Sequence, residues 1–152
     1  KIHTINSKAI IFTQFIIFIL IATLAPLLKQ QMLTGPIVNA TLFLSTIYLG
    51  SQAGIMVGLI PSIISLSIGL LPLPLAPMVP FIMVSNALLI LTFARLKNKN
   101  FWLAIITSSI LKFAFLYTIS LYFAPKLAFI MGLPQLITAI IGGIIAFLFL
   151  KL

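Results

Sequence analysis

The stretch FWLAIITSSILKFAFLYTISLY, residues 101–122, decides what kind of protein this chain forms. It carries one charged side chain, Lys112, among residues that are otherwise apolar or weakly polar. At about 1.5 Å of rise per residue, a helix of this length crosses the roughly 30 Å hydrocarbon core of a bilayer. The stretch therefore predicts a membrane-spanning helix with a lysine near its middle.

The rest of the chain has the same character. Of its 152 residues 62% are hydrophobic, and aspartate and glutamate are absent. A soluble domain of this length needs far more charged surface. We expect an all-α integral membrane protein, a compact bundle of about six transmembrane helices that forms a single domain over residues 1–152. The spans are expected at 9–28, 36–49, 55–70, 81–96, 101–122 and 127–150.

Glycine and proline mark the expected connections. Pro36 is expected in the first turn of the second helix, where its missing N–H costs nothing. Residues 50–54, GSQAG, predict a tight turn. The proline-rich stretch 71–80 is too apolar for a solvated loop, so we place it at the membrane surface over the bundle. Gly132 and Pro134 leave open whether the last apolar block is one helix or a surface segment followed by a short helix.

The formal charge of +9 comes from dispersed cations, which is not the pattern of a nucleic-acid-binding surface. With the N-terminus inside and six crossings, most cations fall on the inner side. The positive-inside rule therefore predicts that the N- and C-termini are cytoplasmic. We expect a multi-pass protein of the cell membrane, in a prokaryote. The inner side then holds Lys1, Lys8, Arg95, Lys97, Lys99 and Lys151, and the outer side holds Lys29 and Lys126.

Polar side chains at membrane depth are candidate functional residues, because they cost free energy unless they are paired or hydrated. Lys112 lies about 16 Å from the cytoplasmic end of its helix. Three states are open: a lysine neutralised by its apolar surroundings, a lysine in a water-filled cavity, or a lysine whose counter-ion is a ligand. A snorkelling side chain on a shifted helix is the structural alternative.

Other polar side chains share the outer half of the bilayer with Lys112. Helical rise places Asn86 about 9 Å and Gln135 about 12 Å below the outer edge, against about 14 Å for the lysine. Ser108 and Ser109 precede the lysine by about one turn and share its helix face. For each amide an interhelical hydrogen bond is the alternative role. The candidate substrate-binding residues are Lys112, Asn86, Gln135, Asn39, Ser108 and Ser109.

Catalysis and metal binding have little support in the sequence. The chain has no carboxylate and no cysteine, so acid–base and thiol chemistry lack their usual groups. His3 has no neighbouring ligand residue, and we expect no metal and no cofactor. A pair of Ser108 or Ser109 with Lys112 remains as the catalytic alternative, in a small intramembrane transferase.

Residues 33–93, LTGPIVNATLFLSTIYLGSQAGIMVGLIPSIISLSIGLLPLPLAPMVPFIMVSNALLILTF, resemble the central part of the small substrate-binding S components of energy-coupling factor transporters. The resemblance covers less than half of the chain. The shared features are the Gly35-Pro36 entry, the helix pair punctuated by Gly50, Gly54 and Gly58, the proline-rich connection and Asn86.

Membership in that family implies an outward-facing pocket for a vitamin or its precursor, with a membrane coupling subunit and two cytoplasmic ATPases as partners. The chain has no glycine-rich phosphate loop followed by lysine, so ATP hydrolysis is expected from the partners. Two small residues four apart on the first helix contact the coupling subunit in that family. Ala9 and Thr13 occupy this role here, with threonine as a departure. His3 lacks the acidic and glycine context of metal-specific members, so neither cobalt nor nickel is expected.

The sequence thus favours a non-enzymatic binding subunit of a micronutrient importer. A small organic anion would enter from outside and be held by Asn86, Lys112 and Gln135 beneath the proline-rich stretch. The alternative is a structural scaffold of the cell envelope, in which the same polar groups only join helices.

Overall fold

The computed structural model describes residues 7–152, so the expectations for Lys1 and His3 lie outside it. The described chain contains six long helices, one single-turn helix and three short 3-10 turns, and no strand. The expected all-helical fold is confirmed for these residues. The helices are α1 (Ser7–Leu24), α2 (Gln31–Leu49), α3 (Ser51–Ser67), α4 (Val79–Leu96), α5 (Phe101–Phe123), α6 (Ala128–Met131) and α7 (Leu133–Phe149).

Five segments of the described chain are long and apolar enough to cross a membrane. The remaining helix, α3, is also apolar but has only 17 residues. At about 1.5 Å per residue it spans about 26 Å, slightly less than the hydrocarbon core. These lengths and compositions are those of a multi-pass membrane protein. The five segments are Ser7–Leu28, Gln31–Leu49, Leu73–Leu96, Phe101–Phe123 and Pro125–Phe149.

Two expected chain breaks differ in the structure. Pro36 lies inside α2 and not in its first turn, because the helix already begins at Gln31. A proline at this position removes only the bond to the carbonyl four residues earlier, and neighbouring groups in a bundle compensate for such a gap. The turn expected over residues 50–54 is confined to Gly50, whose φ of 89° suits glycine. The following residues belong to α3.

The last apolar block is split, which decides between the two open alternatives. Gly132 separates the single-turn α6 from α7, and Pro134 lies in the first turn of α7. The proline-rich stretch forms the 3-10 segment Leu73–Met78, in which Leu73 is exposed and Met78 is buried. Both segments lie at the ends of helices and cover the same side of the bundle.

The centre of the bundle is α2, which packs against α7 and α3. At the α2–α7 contact, a Cβ added to Gly142 would lie 2.6 Å from the Cβ of Asn39, so only glycine permits this approach. By contrast α1 is peripheral, and only Ala22 and Thr23 of its residues are buried. Most of its surface is therefore available to lipid or to another protein.

The helices alternate in direction, so the chain reversals lie at two ends of the bundle. Lys8 shares a groove with Leu49, and Trp102 packs on Phe147 with ring centroids 4.6 Å apart. These contacts bring the start of α1, the end of α2, the start of α5 and the end of α7 to one end. We call it the basic end, and it carries Lys8, Arg95, Lys97, Lys99 and Lys151. The opposite end carries Lys29 and Lys126, and we call it the cavity end.

Candidate functional site

Lys112 lies in the middle of α5 and is only 3% exposed. Its Nζ donates hydrogen bonds to Oδ1 of Asn39, at 2.7 Å, and to Oδ1 of Asn86, at 2.8 Å. The two asparagines belong to α2 and α4, so one amine joins three helices. The side chain therefore does not snorkel to a helix end.

Each asparagine is held in place by a second hydrogen bond. Nδ2 of Asn39 donates to the carbonyl of Gly35 on its own helix, at 2.9 Å. Nδ2 of Asn86 donates to the carbonyl of Gly58 on α3, at 3.0 Å. Because the amide nitrogens are engaged with carbonyls, both amide oxygens face the lysine. The result is a preorganised pair of acceptors for one amine.

Two glycines make this arrangement possible. A Cβ on Gly58 would lie 3.1 Å from the Cβ of Asn86, and Gly142 is packed still more closely on Asn39. Small residues allow helix backbones to approach in a membrane, where packing rather than water release drives association. The asparagines therefore depend on glycines in neighbouring helices for their positions.

A cavity of about 110 Å³ lies beside this cluster, toward the cavity end. Lys112, Asn39, Asn86 and Gln135 all line it. The proline-rich stretch contributes Leu71 and Leu75 to its cover, and α6 contributes Met131. The structure thus joins four of the predicted residues in one cavity covered by surface segments.

The other two predicted residues lie elsewhere. Ser108 and Ser109 are completely buried, and neither lines the cavity. Oγ of Ser108 donates to the carbonyl of Ile105, at 3.1 Å, while Oγ of Ser109 has no partner in the described part of the chain. One helical turn separates these serines from the lysine, which moves them about 5 Å toward the basic end. The face of α5 that carries Lys112 therefore continues beyond the cavity, and residues on that face need not line it.

Four polar residues of the cavity were not predicted from the sequence, namely Gln31, Thr34, Ser62 and Ser65. Ser62 follows Pro61 in α3, and Gln31 begins α2. A hydroxyl next to a proline in an apolar helix was the available signal for Ser62. The polar run Lys29-Gln30-Gln31 was the signal for Gln31.

The residues expected to contact a partner lie apart from the cavity. Ala9 and Thr13 are both exposed on α1. For metals, the described residues contain no group of three or more His, Cys, Asp or Glu side chains. The cavity instead offers an amine, fixed amide oxygens and hydroxyls, which suit an organic ligand or an anion.

No protein-family model, no curated protein and no solved structure matches the chain. The resemblance of residues 33–93 to S components therefore stays a prediction. The structure shows the buried amine of Lys112, which is hydrogen-bonded to Asn39 and Asn86 at the wall of a small cavity.

Proposed function

We propose that the chain is the substrate-binding subunit of an ATP-driven micronutrient importer, an S component of the energy-coupling factor type. It captures a small organic anion, a vitamin or a precursor, from outside the cell. The observation that carries the proposal is that Lys112 is buried beside a cavity in a chain that has no Asp or Glu.

A buried cation is costly unless an anion compensates it. Asn39 and Asn86 supply dipoles to Lys112 but no negative charge. The sequence contains no Asp or Glu that could approach instead. A negatively charged ligand in the adjacent cavity supplies the missing charge, which makes capture of an anion the role that best explains the lysine.

The distribution of surface cations supports import. Five described cations lie at the basic end and two at the cavity end. Under the positive-inside rule the basic end is cytoplasmic and the cavity end faces outward. Both termini then lie inside, and the cavity opens on the side from which a nutrient arrives, across the plasma membrane of a prokaryote.

Energy for transport comes from partner proteins in this proposal. The chain lacks a phosphate-binding loop, so two cytoplasmic ATPases and a membrane coupling subunit provide hydrolysis and its transmission. The exposed surface of α1, with Ala9 and Thr13, is the contact for the coupling subunit. In this proposal the chain acts by binding and not by catalysis, since Ser108 and Ser109, the serines of the catalytic alternative, lie outside the cavity that Lys112 lines.

Thermal unfolding of the purified protein in detergent, against water-soluble vitamins and their precursors, tests the proposal. A ligand at 100 times its dissociation constant stabilises the parent by about 2.7 kcal/mol. Lys112→Met should lose this stabilisation, whereas Lys126→Met, which removes an exposed cation, should keep it. If no compound stabilises the parent and Lys112→Met is simply more stable, the polar groups only join helices and the scaffold role replaces the proposal.

A further inference from the structure

Lys112 is the one charged side chain among the described residues that line the cavity, and its amine has one hydrogen left to donate. A protonated lysine has three N–H donors. Asn39 and Asn86 accept two of those of Lys112. A ligand that matches this site therefore brings one negative charge and places one oxygen on Nζ. A phosphate monoester carries about 1.5 to 2 negative charges at neutral pH, which exceeds what one lysine compensates. A carboxylate carries one.

Three further polar side chains in the cavity, those of Gln135, Ser62 and Gln31, have no hydrogen-bond partner in the described part of the chain. Gln135, on α7, is 8% exposed, and Ser62, on α3, is partly buried. None of the three side chains makes a hydrogen bond to any described residue, whereas Thr34 and Ser65 in the same cavity donate to backbone carbonyls. An amide and a hydroxyl both donate and accept. They are suited to an uncharged hydroxyl or carbonyl group on the ligand.

The same cavity is unsuited to an ammonium group. The groups that compensate the charge of an ammonium are carboxylates, and the chain has no Asp or Glu. Oδ1 of Asn39 and Oδ1 of Asn86 are already engaged by Lys112, whose own charge repels a second cation. An amino acid would therefore bring an uncompensated positive charge into the site.

The volume limits the size of the ligand. The cavity measures about 110 Å³, compared with the roughly 150 Å³ of an engineered protein cavity that accepts benzene. About six non-hydrogen atoms, the size of benzene, is therefore the upper limit for a ligand enclosed in this volume. Val57, Ile82 and Met131 supply apolar walls for its carbon atoms.

From these four observations we infer that the ligand is a short monocarboxylate with a second, uncharged hydrogen-bonding group and no amine. This inference rests on the proposed capture function and names the substrate class of the same site. Lys112 binds the carboxylate, and Gln135 and Ser62 form hydrogen bonds with the second group. A short hydroxy acid has this chemistry.

Three molecules of about the same size test the inference on the full chain in detergent. Lactate is a hydroxy acid, lactamide is its uncharged amide, and alanine is a zwitterion. Dissociation constants are measured from the ligand dependence of thermal unfolding. We expect lactate to bind at least tenfold more tightly than lactamide or alanine, because of the three it alone combines one net negative charge with a hydroxyl. Lengthening the acid to 6-hydroxyhexanoate should weaken binding.

Variants assign the two groups separately. Gln135→Leu should reduce the preference for lactate over propionate, which lacks the hydroxyl, several-fold. Lys112→Met should abolish the preference for lactate over lactamide. Gln52→Leu, which removes an exposed amide at the basic end, should leave both preferences unchanged.

The outcomes separate this inference from the function on which it rests. Binding of lactamide or alanine as tight as that of lactate overturns the charge assignment and leaves capture intact. Binding of a complete vitamin without binding of lactate overturns the size assignment and also leaves capture intact. If neither the short acids nor any vitamin binds, both the inference and the proposed function fail.

Discussion

Nζ of Lys112 lies 2.7 Å from Oδ1 of Asn39, a residue 73 positions earlier in the chain. The bond crosses the bundle from α5 to α2, and a matching bond of 2.8 Å reaches Asn86 on α4. Neither bond is local in sequence. The candidate site therefore exists only when three helices are packed together, and its properties can be tested through that packing.

The lysine and Asn86 should be energetically coupled. Asn86→Ala removes one acceptor of Lys112 together with the hydrogen bond to Gly58. Hydrogen bonds to charged groups contribute about 1.5–3 kcal/mol, so we expect a loss of about this size in the parent and less than about 1 kcal/mol in a Lys112→Met background. Thermal unfolding in detergent of the four proteins of this double-mutant cycle gives the coupling. Equal losses in both backgrounds would mean that the bond contributes nothing.

The two glycines beneath the asparagines should differ in their tolerance of a methyl group. In Gly142→Ala the new Cβ would lie 2.6 Å from Asn39 Cβ and 2.7 Å from the Ala40 backbone nitrogen, so the helices must separate. In Gly58→Ala the closest atom would be Asn86 Cβ at 3.1 Å, which a small shift relieves. We expect about 1–3 kcal/mol of destabilisation for Gly142→Ala and less for Gly58→Ala. The reverse order of unfolding temperatures would contradict the close approach of α2 and α7.

The aromatic cluster near the basic end should stabilise the bundle by packing alone. Phe93 is fully buried, with its ring centroid 4.7 Å from that of Phe43 and 5.5 Å from that of Phe101. Since lipid is as apolar as the core, Phe93→Ala loses mainly the cavity contribution, about 2.4 kcal/mol for about 100 Å³ at about 24 cal/mol per Å³. Phe129→Ala, at a position that is 81% exposed, should change the unfolding temperature little. Equal effects of the two changes would contradict this packing.

The orientation can be read with single cysteines, because the chain has none of its own. Gln30→Cys at the cavity end should react with a membrane-impermeant maleimide on intact cells. Asn98→Cys at the basic end should react only after the cells are opened. Both positions are exposed, so access to them depends on the side of the membrane alone. The opposite labelling pattern would mean that the cavity end faces the cytoplasm, which would exclude capture from outside.

The exposed side of α1 should be required for transport but not for binding. Ala9→Trp and Thr13→Trp add bulk where the coupling subunit is proposed to dock. In the native host we expect uptake of a ligand identified by thermal stabilisation to fall at least tenfold, while the purified variants bind it normally. Ile110→Trp, on the exposed side of α5, is the control for bulk at a lipid-facing position. Unchanged uptake in both α1 variants would exclude this contact.

Long apolar runs with polar boundaries could be located from the sequence. The spans predicted at 81–96 and 101–122 correspond to α4, Val79–Leu96, and α5, Phe101–Phe123. The boundary between them is marked in the sequence by the polar run at residues 97–100. In the structure the last residue of this run, Asn100, caps α5, with its Oδ1 accepting from the backbone N–H of Leu103 at 3.0 Å. The start of α2 could not be predicted from the sequence, because the residues around Pro36 do not show whether it lies in a first turn or inside a helix that the packed bundle accommodates.

By itself, the sequence determined the class of the protein and the depth of its polar residues. Apolar length sets how many times a chain can cross a bilayer, and helical rise sets how far Lys112 and Asn86 lie from an edge. The absence of any carboxylate also made the lysine exceptional before its surroundings were known. These properties depend only on distance along the chain.

The tertiary structure alone decided which polar groups meet. Depth does not specify the direction in which a side chain points around its helix, and Ser109 therefore lies in the packed core while Gln135 lines the cavity. The close approaches at Gly58 and Gly142 set the angles and separations of the helices. Because those contacts join residues far apart in the chain, no local sequence pattern predicts them.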